Sequence, residues 1–276
     1  MSAHDVAIIG GGNMGRALVG GLLRRGTAPR SISIGEPSES ARASLEREFG
    51  CSALADNERA IATAGVVVLA VKPQEAARVL GPLRPRLVEL APVVVSVAAG
   101  IETRSLERWC GAGVPIVRAM PNRPALVGAG ATGLYARPEV SANARGRAEA
   151  VMRAVGAVVW VAEESHLDLV TALSGSGPAY FFLLAETMMQ AAVRRGLDPE
   201  AARVLANETL HGAGALAHLS GDLARLRAEV TSKGGTTEAA LGVFGAENAM
   251  GELVQRAIDA AAQRSRELAR QFGAGD

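Results

Sequence analysis

Two stretches of the chain combine residue types and spacings that can do chemistry. In Val6-Ala-Ile-Ile-Gly10-Gly-Gly-Asn-Met-Gly15 the glycines at 10, 12 and 15 match G-x-G-x-x-G at the start of a helical pattern. Gly10 lets a strand turn tightly, Gly12 omits the Cβ that would hold a pyrophosphate off the backbone, and Gly15 lets the helix lie close on the strand. The helix then aims its unpaired N–H groups and positive dipole end at the phosphates. The second stretch is Thr231-Ser-Lys-Gly-Gly-Thr-Thr237, ahead of a helix that starts near Thr237. Its glycines and hydroxyl residues set several backbone N–H groups in one concavity, an anion site for carboxylate or phosphate. Lys233 adds a cation there, and so many small and hydroxyl residues exceed what capping one helix needs.

The elements that position these stretches follow from the hydrophobic pattern. Val6–Ile9 reads as a strand buried on both faces, residues 13–25 as a helix and 31–35 as a short second strand. Glu36 ends that strand, about 20 residues beyond the glycines, where an acid accepts from a ribose 2′-hydroxyl and repels a 2′-phosphate. Ser38 and Arg42 nearby offer that phosphate a place instead, so the sequence leaves NAD and NADP both open. Val66–Val71 is a core strand with Lys72-Pro73-Gln74 just beyond it. Asn57, in the turn before it, reads equally as a cap for a short helix. Val93–Val97 ends in Ala98-Ala99-Gly100, small enough for a flat ring to approach, and Pro115–Met120 ends in Pro121-Asn122. Three strands thus finish at one edge, where ligands bind in a doubly wound sheet.

A strand at 131–134, a helix at 141–155 and a strand at 157–161 complete this part. From 163 the β-branched runs stop and helical patterns take over. The expected fold is α/β: an N-terminal Rossmann-type doubly wound domain over 1–162, then an all-α helical dimerisation domain over 163–276. Within the latter, Ser174-Gly-Ser-Gly-Pro178 is expected to break or bend the helix. The helix from 178 carries Phe181, Phe182, Leu183, Leu184, Met188 and Met189 on more than one face, which points to a second subunit as its cover.

Composition narrows the class. The 276 residues carry net charge +1, 49% hydrophobic and 21% charged residues, and no basic stripe, so neither nucleic acid nor an acidic membrane is an expected partner. No apolar run is expected to reach the roughly 18 residues of a membrane span, and the N-terminus lacks the basic start of a signal peptide. Cys51 and Cys110 are far apart and unclustered, so neither disulfide nor metal is expected and the cytoplasm is the expected location. Lysine occurs only at 72 and 233, each inside a loop of chemical interest.

Taken together the motifs resemble the pyrroline-5-carboxylate reductase family, the last enzyme of proline synthesis, over essentially the whole chain. The matching stretches are Ile9–Met14, Ala70–Gln74, Ala98–Gly100, Met120–Asn122, Pro124–Gly128, Thr171–Tyr180 and Thr231–Thr237. The resemblance implies that Gly10, Gly11, Gly12, Asn13, Met14, Asn57, Ala70, Val71, Lys72, Pro73, Ala98, Ala99 and Gly100 line the nicotinamide nucleotide, NADPH or NADH. Gly15, Glu36, Ser38 and Asn122 complete the expected cofactor site. It also implies that Val230, Thr231, Ser232, Lys233, Gly234, Gly235, Thr236 and Thr237 hold the substrate carboxylate. By the same resemblance Thr237 is the expected catalytic residue, its hydroxyl near the ring nitrogen. Lys233 stands where the family commonly has proline, Arg123 where it has threonine, and Glu229 where an amide or aspartate is frequent.

The chemistry so implied is hydride transfer to the carbon of a cyclic imine, in a homodimer or an oligomer built of dimers. It needs no buried histidine or metal, and His4, His166, His211 and His218 lie outside every motif. The alternative in the same class is a related imine or β-hydroxyacid reductase; the latter would carry a lysine on the long helix 178–195, which has none. A regulatory relative that binds nucleotide without turnover would be expected to lose the Gly-Gly-Thr-Thr loop.

Overall fold

A computed structural model describes residues 5–273; His4 lies outside the described residues. The chain runs β1 (Asp5–Ile9), α1 (Asn13–Arg24), β2 (Ile32–Gly35), α2 (Glu39–Phe49), β3 (Ser52–Leu54), α3 (Asn57–Ala60), β4 (Ala64–Leu69), α4 (Ala76–Leu90), β5 (Val93–Ser96), α5 (Thr103–Cys110), β6 (Ile116–Met120), β7 (Gly130–Tyr135), α6 (Ala142–Arg153) and β8 (Gly156–Trp160). Helices follow: α7 (His166–Val170), α8 (Gly177–Val193), α9 (Pro199–Ser220), α10 (Leu223–Glu229), α11 (Thr236–Gly245) and α12 (Ala249–Gly273).

Among the described residues eight strands form one sheet, ordered β3-β2-β1-β4-β5-β6-β7-β8. The six from β3 to β6 are parallel, which is the dinucleotide-fold order with its reversal between β1 and β4. β7 runs antiparallel to β6, with Ala119 opposite Leu134. The link between them holds only a short 3-10 turn, Arg123–Val127, too little chain for the crossover that a parallel partner needs. Both faces of the sheet are covered. Ile8, Ile34, Val68 and Val95 pack with Leu18 of α1, Leu45 of α2 and Met152 of α6. Ile9, Val67, Leu69 and Val94 pack with Leu80 and Leu87 of α4 and Leu106 of α5. Continuous apolar runs such as Val66–Leu69 follow from this double burial.

The compact units do not divide at 162/163. One takes in the chain up to Gly175 and again from Ala261 onward; the other is Ser176–Ala260. The reason lies in α7, which packs on the sheet although its texture is that of the helical half. Leu167 is buried, Val170 fills the space a side chain at Gly133 would need, and Asp168 accepts from Ser265 Oγ at 2.6 Å. Of the break or bend expected at Ser174–Pro178, there is no break, but the helix is irregular as it enters that stretch. Thr171–Gly175 forms a π turn and Ser176 keeps helical angles of φ −84°, ψ −24°. Pro178 falls in the first turn of α8, where its missing N–H has no partner to lose.

The helical run His166–Val193, with mean hydropathy 1.3, is long and apolar enough by composition to cross a membrane, contrary to the reading of the sequence. Its exposed Phe181, Phe182 and Leu183 belong to the surface assigned above to a second subunit. Both cysteines are free and buried; burial pushes the Cys110 thiol up to about 12 and the Cys51 thiol upward, so neither is poised as a nucleophile.

Glu164, just before α7, ties three elements of the first unit together. Its Oε1 accepts from Thr103 N–H at 2.6 Å, Thr103 Oγ1 at 2.8 Å and Arg118 at 2.7 Å. Burial pushes this carboxyl up, but the hydrogen bonds and the adjacent guanidinium outweigh it and hold it below the usual range. Glu164→Gln should therefore cost about 2 kcal/mol near pH 7, since Arg118, 12% exposed, loses its counter-charge. A depressed folded pKa contributes stability above the ordinary 4.5 that is lost as pH falls through the folded value. The gap between wild type and variant should accordingly narrow on acidification. Urea unfolding at pH 7 and pH 4 measures it, and an equal gap at both would contradict the assignment.

Candidate functional site

The glycine turn between β1 and α1 is built by close approach. Gly10 has φ +110°, and a Cβ there would come within 2.5 Å of the Ala70 carbonyl oxygen; a Cβ at Gly15 would overlap the Gly10 carbonyl. Any side chain at either place would push α1 away from the turn. Gly12 is different, because a Cβ there would meet nothing within 4 Å. Its lack of a side chain opens space above the helix N-terminus, where an anion finds the unpaired N–H groups of the first turn.

Beside this turn lies a cleft of about 570 Å³ within the first unit. Of the residues expected at the cofactor, Gly10, Gly11, Gly12, Glu36, Asn57, Ala70, Val71 and Lys72 line it. Glu36 reaches from β2 to the glycine turn: its Oε2 accepts from Gly11 N–H at 3.0 Å and its Oε1 from Ser38 N–H at 3.0 Å. The Arg42 guanidinium bonds to two carbonyls of the same corner, Glu36 O at 3.0 Å and Pro37 O at 2.7 Å. Asn57 is not the helix cap. That role falls to Asp56, which accepts from Glu58 N–H at 2.8 Å. The Asn57 Oδ1 lies against Gly35, buried and with no hydrogen-bond partner. An orphaned buried acceptor and an open glycine cradle in one cleft are what a hydroxyl- and phosphate-bearing dinucleotide would satisfy, so the residues fit the cofactor.

The other expected cofactor residues lie off this cleft. Asn13 opens α1 and is exposed, Met14 packs against the core, and Gly15 makes the close contact described. Ser38 caps α2 through Ala41 N–H at 3.4 Å. Pro73 starts a 3-10 turn. Ala98 is buried and Ala99 exposed, while Gly100, at φ +79°, packs against the backbone of Ala269 in α12. Both functions of the Asn122 amide are engaged, Nδ2 donating to Ser174 O at 3.0 Å and Oδ1 accepting from Ala131 N–H at 2.8 Å. Missing from the sequence reading is the wall supplied by α4 and the turn before it: Glu75, Arg78, Val79, Pro82 and Leu83. Their spacing of three and four residues was the available signal.

In the second unit the loop before α11 is held by its own backbone. Gly234 takes φ +71°, Gly235 N–H donates to Ser232 O at 3.0 Å, and a Cβ at Gly235 would overlap Ser232 Oγ. Gly234 N–H is engaged as well, donating to the Glu238 carboxylate at 2.7 Å. Gly235 is the N-cap and has no side chain to offer, so no side-chain cap covers the N–H groups of Thr236 and Thr237 in the first turn of the helix. Lys233 is exposed and Thr237 half-buried; Thr231 Oγ1 donates to Arg227 O at 2.6 Å, and Val230 ends α10.

The chain is similar to known proteins along its whole length. The family profile described as pyrroline-5-carboxylate reductase dimerisation matches residues 164–268, and that described as NADP oxidoreductase, coenzyme F420-dependent, matches residues 5–100. A pyrroline-5-carboxylate reductase of Pseudomonas aeruginosa is 46% identical, covering 99% of this chain and 100% of that one. One of Vibrio alginolyticus is 40% identical with the same coverage. The solved structure of a pyrroline-5-carboxylate reductase from Coxiella burnetii aligns with TM-score 0.93 at 41% identity, covering 97% of this chain and 99% of that one. A pyrroline carboxylate reductase of Plasmodium falciparum, solved with NADP bound, aligns with TM-score 0.81 at 26% identity, covering 98% and 99%.

The two kinds of glycine should respond differently to alanine. Gly12→Ala should weaken dinucleotide binding at least about tenfold while the melting temperature stays within a degree or two, because the methyl group enters only the ligand's space. Gly15→Ala should lose both binding and stability. Nucleotide titration beside thermal melts separates them, and a tight-binding Gly12→Ala protein would remove the turn from the cofactor site.

Proposed function

Since the chain belongs to the pyrroline-5-carboxylate reductase family, we propose a division of its chemistry between the glycine turn and the loop before α11. The protein is an NAD(P)H-dependent oxidoreductase that reduces 1-pyrroline-5-carboxylate to L-proline, the last step of proline synthesis. The full-length match to enzymes of that activity is the observation that carries this. Oxidation of NADH or NADPH by the purified protein with 1-pyrroline-5-carboxylate tests it, and a protein that oxidises neither overturns it.

When bound, the nicotinamide supplies the hydride for the imine carbon. The glycine turn receives the pyrophosphate at the start of α1, and Asn57 Oδ1 accepts from a hydroxyl or amino group of the nucleotide. In the second unit the N–H groups of Thr236 and Thr237 receive the substrate carboxylate; Gly234 N–H, already bonded to Glu238, does not. Lys233 adds attraction for the carboxylate from the exposed side of the loop. The Thr237 hydroxyl lies one side chain away from its own N–H, placed to donate to the ring nitrogen as that atom becomes basic. Catalysis on this plan is mostly orientation, which the tight backbone of both loops provides.

The enzyme is a homo-oligomer, and we take its unit to be a homodimer formed through the helical half, with higher oligomers built of dimers. Exposed Phe181, Phe182 and Leu183 on α8 and Val243 and Phe244 on α11 support that reading. Its partners are small molecules rather than nucleic acid or lipid, in keeping with net charge +1. Two free buried thiols suit the cytoplasm.

Two loop variants should separate orientation from attraction. Thr237→Ala keeps the N–H and removes the hydroxyl, so nucleotide affinity should hold while kcat falls about 10²-fold. Lys233→Ala should instead raise KM for the imine about 2- to 5-fold with little change in kcat, as expected of an exposed charge that acts equally in ground and transition states. Steady-state kinetics of both decide it; near-normal kcat in Thr237→Ala would leave the loop as a binding site only. Sedimentation should find no active, stable monomer on dilution.

A further inference from the structure

We propose that Glu36 makes this enzyme prefer NADH to NADPH. The inference rests on the nicotinamide-dependent reading above and assigns which nucleotide the cleft selects. Glu36 directly follows β2 on the cleft wall, and its carboxylate is fixed from both sides, by Gly11 N–H at Oε2 and Ser38 N–H at Oε1. Two N–H groups leave about half of the carboxylate's acceptor positions free, enough for the paired hydroxyls of a ribose. A fixed carboxylate also repels any phosphate placed on that ribose. The neighbouring lining residues add to this, since Asp56 and Glu58 belong to the same wall.

The groups that could offset the repulsion are otherwise engaged. Arg42 points its guanidinium at the carbonyls of Glu36 and Pro37 and does not line the cleft. The Ser38 hydroxyl caps α2 and meets Ser40 Oγ at 3.1 Å. The cations that do line the cleft, Lys72 and Arg78, follow β4 rather than β2, and Arg78 is paired with Glu75. A 2′-phosphate at this corner would meet a carboxylate, while the Nη1 of Arg42 is bound to backbone.

Equilibrium titration of the purified full-length protein with NADH and with NADPH, followed by nucleotide fluorescence, tests this without turnover. Wild type should bind NADH about 10- to 100-fold more tightly. Glu36→Gln, which keeps the shape and one acceptor but not the charge, should bring the ratio at least about fivefold closer to one. Equal or tighter binding of NADPH by the wild type overturns the proposal, whatever the variant's stability. So does an unchanged ratio in a folded Glu36→Gln protein. Selective loss of NADPH affinity in Arg42→Ala would also overturn it, by assigning the phosphate to that arginine. A protein that prefers NADPH leaves the reductase reading standing and removes only the role of Glu36, whereas one that binds neither nucleotide removes both.

Discussion

The first turn of α1 sits so close to the end of β1 that a single methyl group at Gly15 would overlap the Gly10 carbonyl. Much of the site depends on that approach. It fixes the height of α1 above the sheet, and with it the place where the helix presents its free N–H groups. The turn is also caught from both sides, Gly10 N–H donating to Gly35 O in β2 at 2.8 Å and Ala70 N–H donating to Ile9 O at 2.8 Å. Glu36 closes the remaining side through Gly11 N–H. A loop held at so many backbone points would need no rearrangement to receive the pyrophosphate proposed for it, and a site made mostly of backbone gains affinity from such preorganisation.

The same economy explains why several polar residues near the sheet edge serve the fold. Asn122 joins the end of β6 to the start of β7 and to the π turn, using both ends of its amide. Glu164 joins α5 and β6 to the start of α7. Within the π turn Thr171 Oγ1 bonds back to Leu167 O at 2.8 Å and Ser174 Oγ to Val170 O at 2.9 Å, so hydroxyls satisfy carbonyls that the wider turn leaves short of partners. A polar residue at the ligand-binding edge is therefore as readily a strut as a ligand group, and its partners decide which.

What the sequence revealed, and what it hid, divides along physical lines. The strands at 66, 93 and 116 were legible because burial on both faces writes continuous apolar runs, and the glycine turn because backbone contact permits one residue type. The α4 wall is harder to see, because Pro82 and Pro85 lie inside the helix, where proline is disfavoured; Leu80, Leu83 and Leu87 bury against the sheet and hold the helix through them. β3 is three residues long and β7 reverses direction because of a short link, neither of which leaves a periodic trace. At the site, Glu36 was legible as an acid after the second strand. Its bonds to two backbone N–H groups, and the withdrawal of Arg42 to two carbonyls, depend on a corner that only the folded backbone defines.

The helical unit poses a different constraint. Among the described side chains of Ser176–Ala260, Ala202 is the apolar one that is fully buried, while Phe181, Phe182, Leu183, Leu205, Val243 and Leu253 are all exposed. Ordering a residue costs about 1–2 kcal/mol in backbone entropy, and burying a leucine or phenylalanine returns about 1.5–3 kcal/mol. A unit that buries so few large side chains does not stabilise itself on those terms. A second copy can supply the missing core, so that folding of this unit and association become one equilibrium. The cleft beside the glycine turn stands on a sheet with its own two-sided core, but the Thr231–Thr237 loop belongs to the unit that lacks one. On the division of sites proposed above, binding of the imine would be tied to assembly in a way that binding of the nucleotide would not.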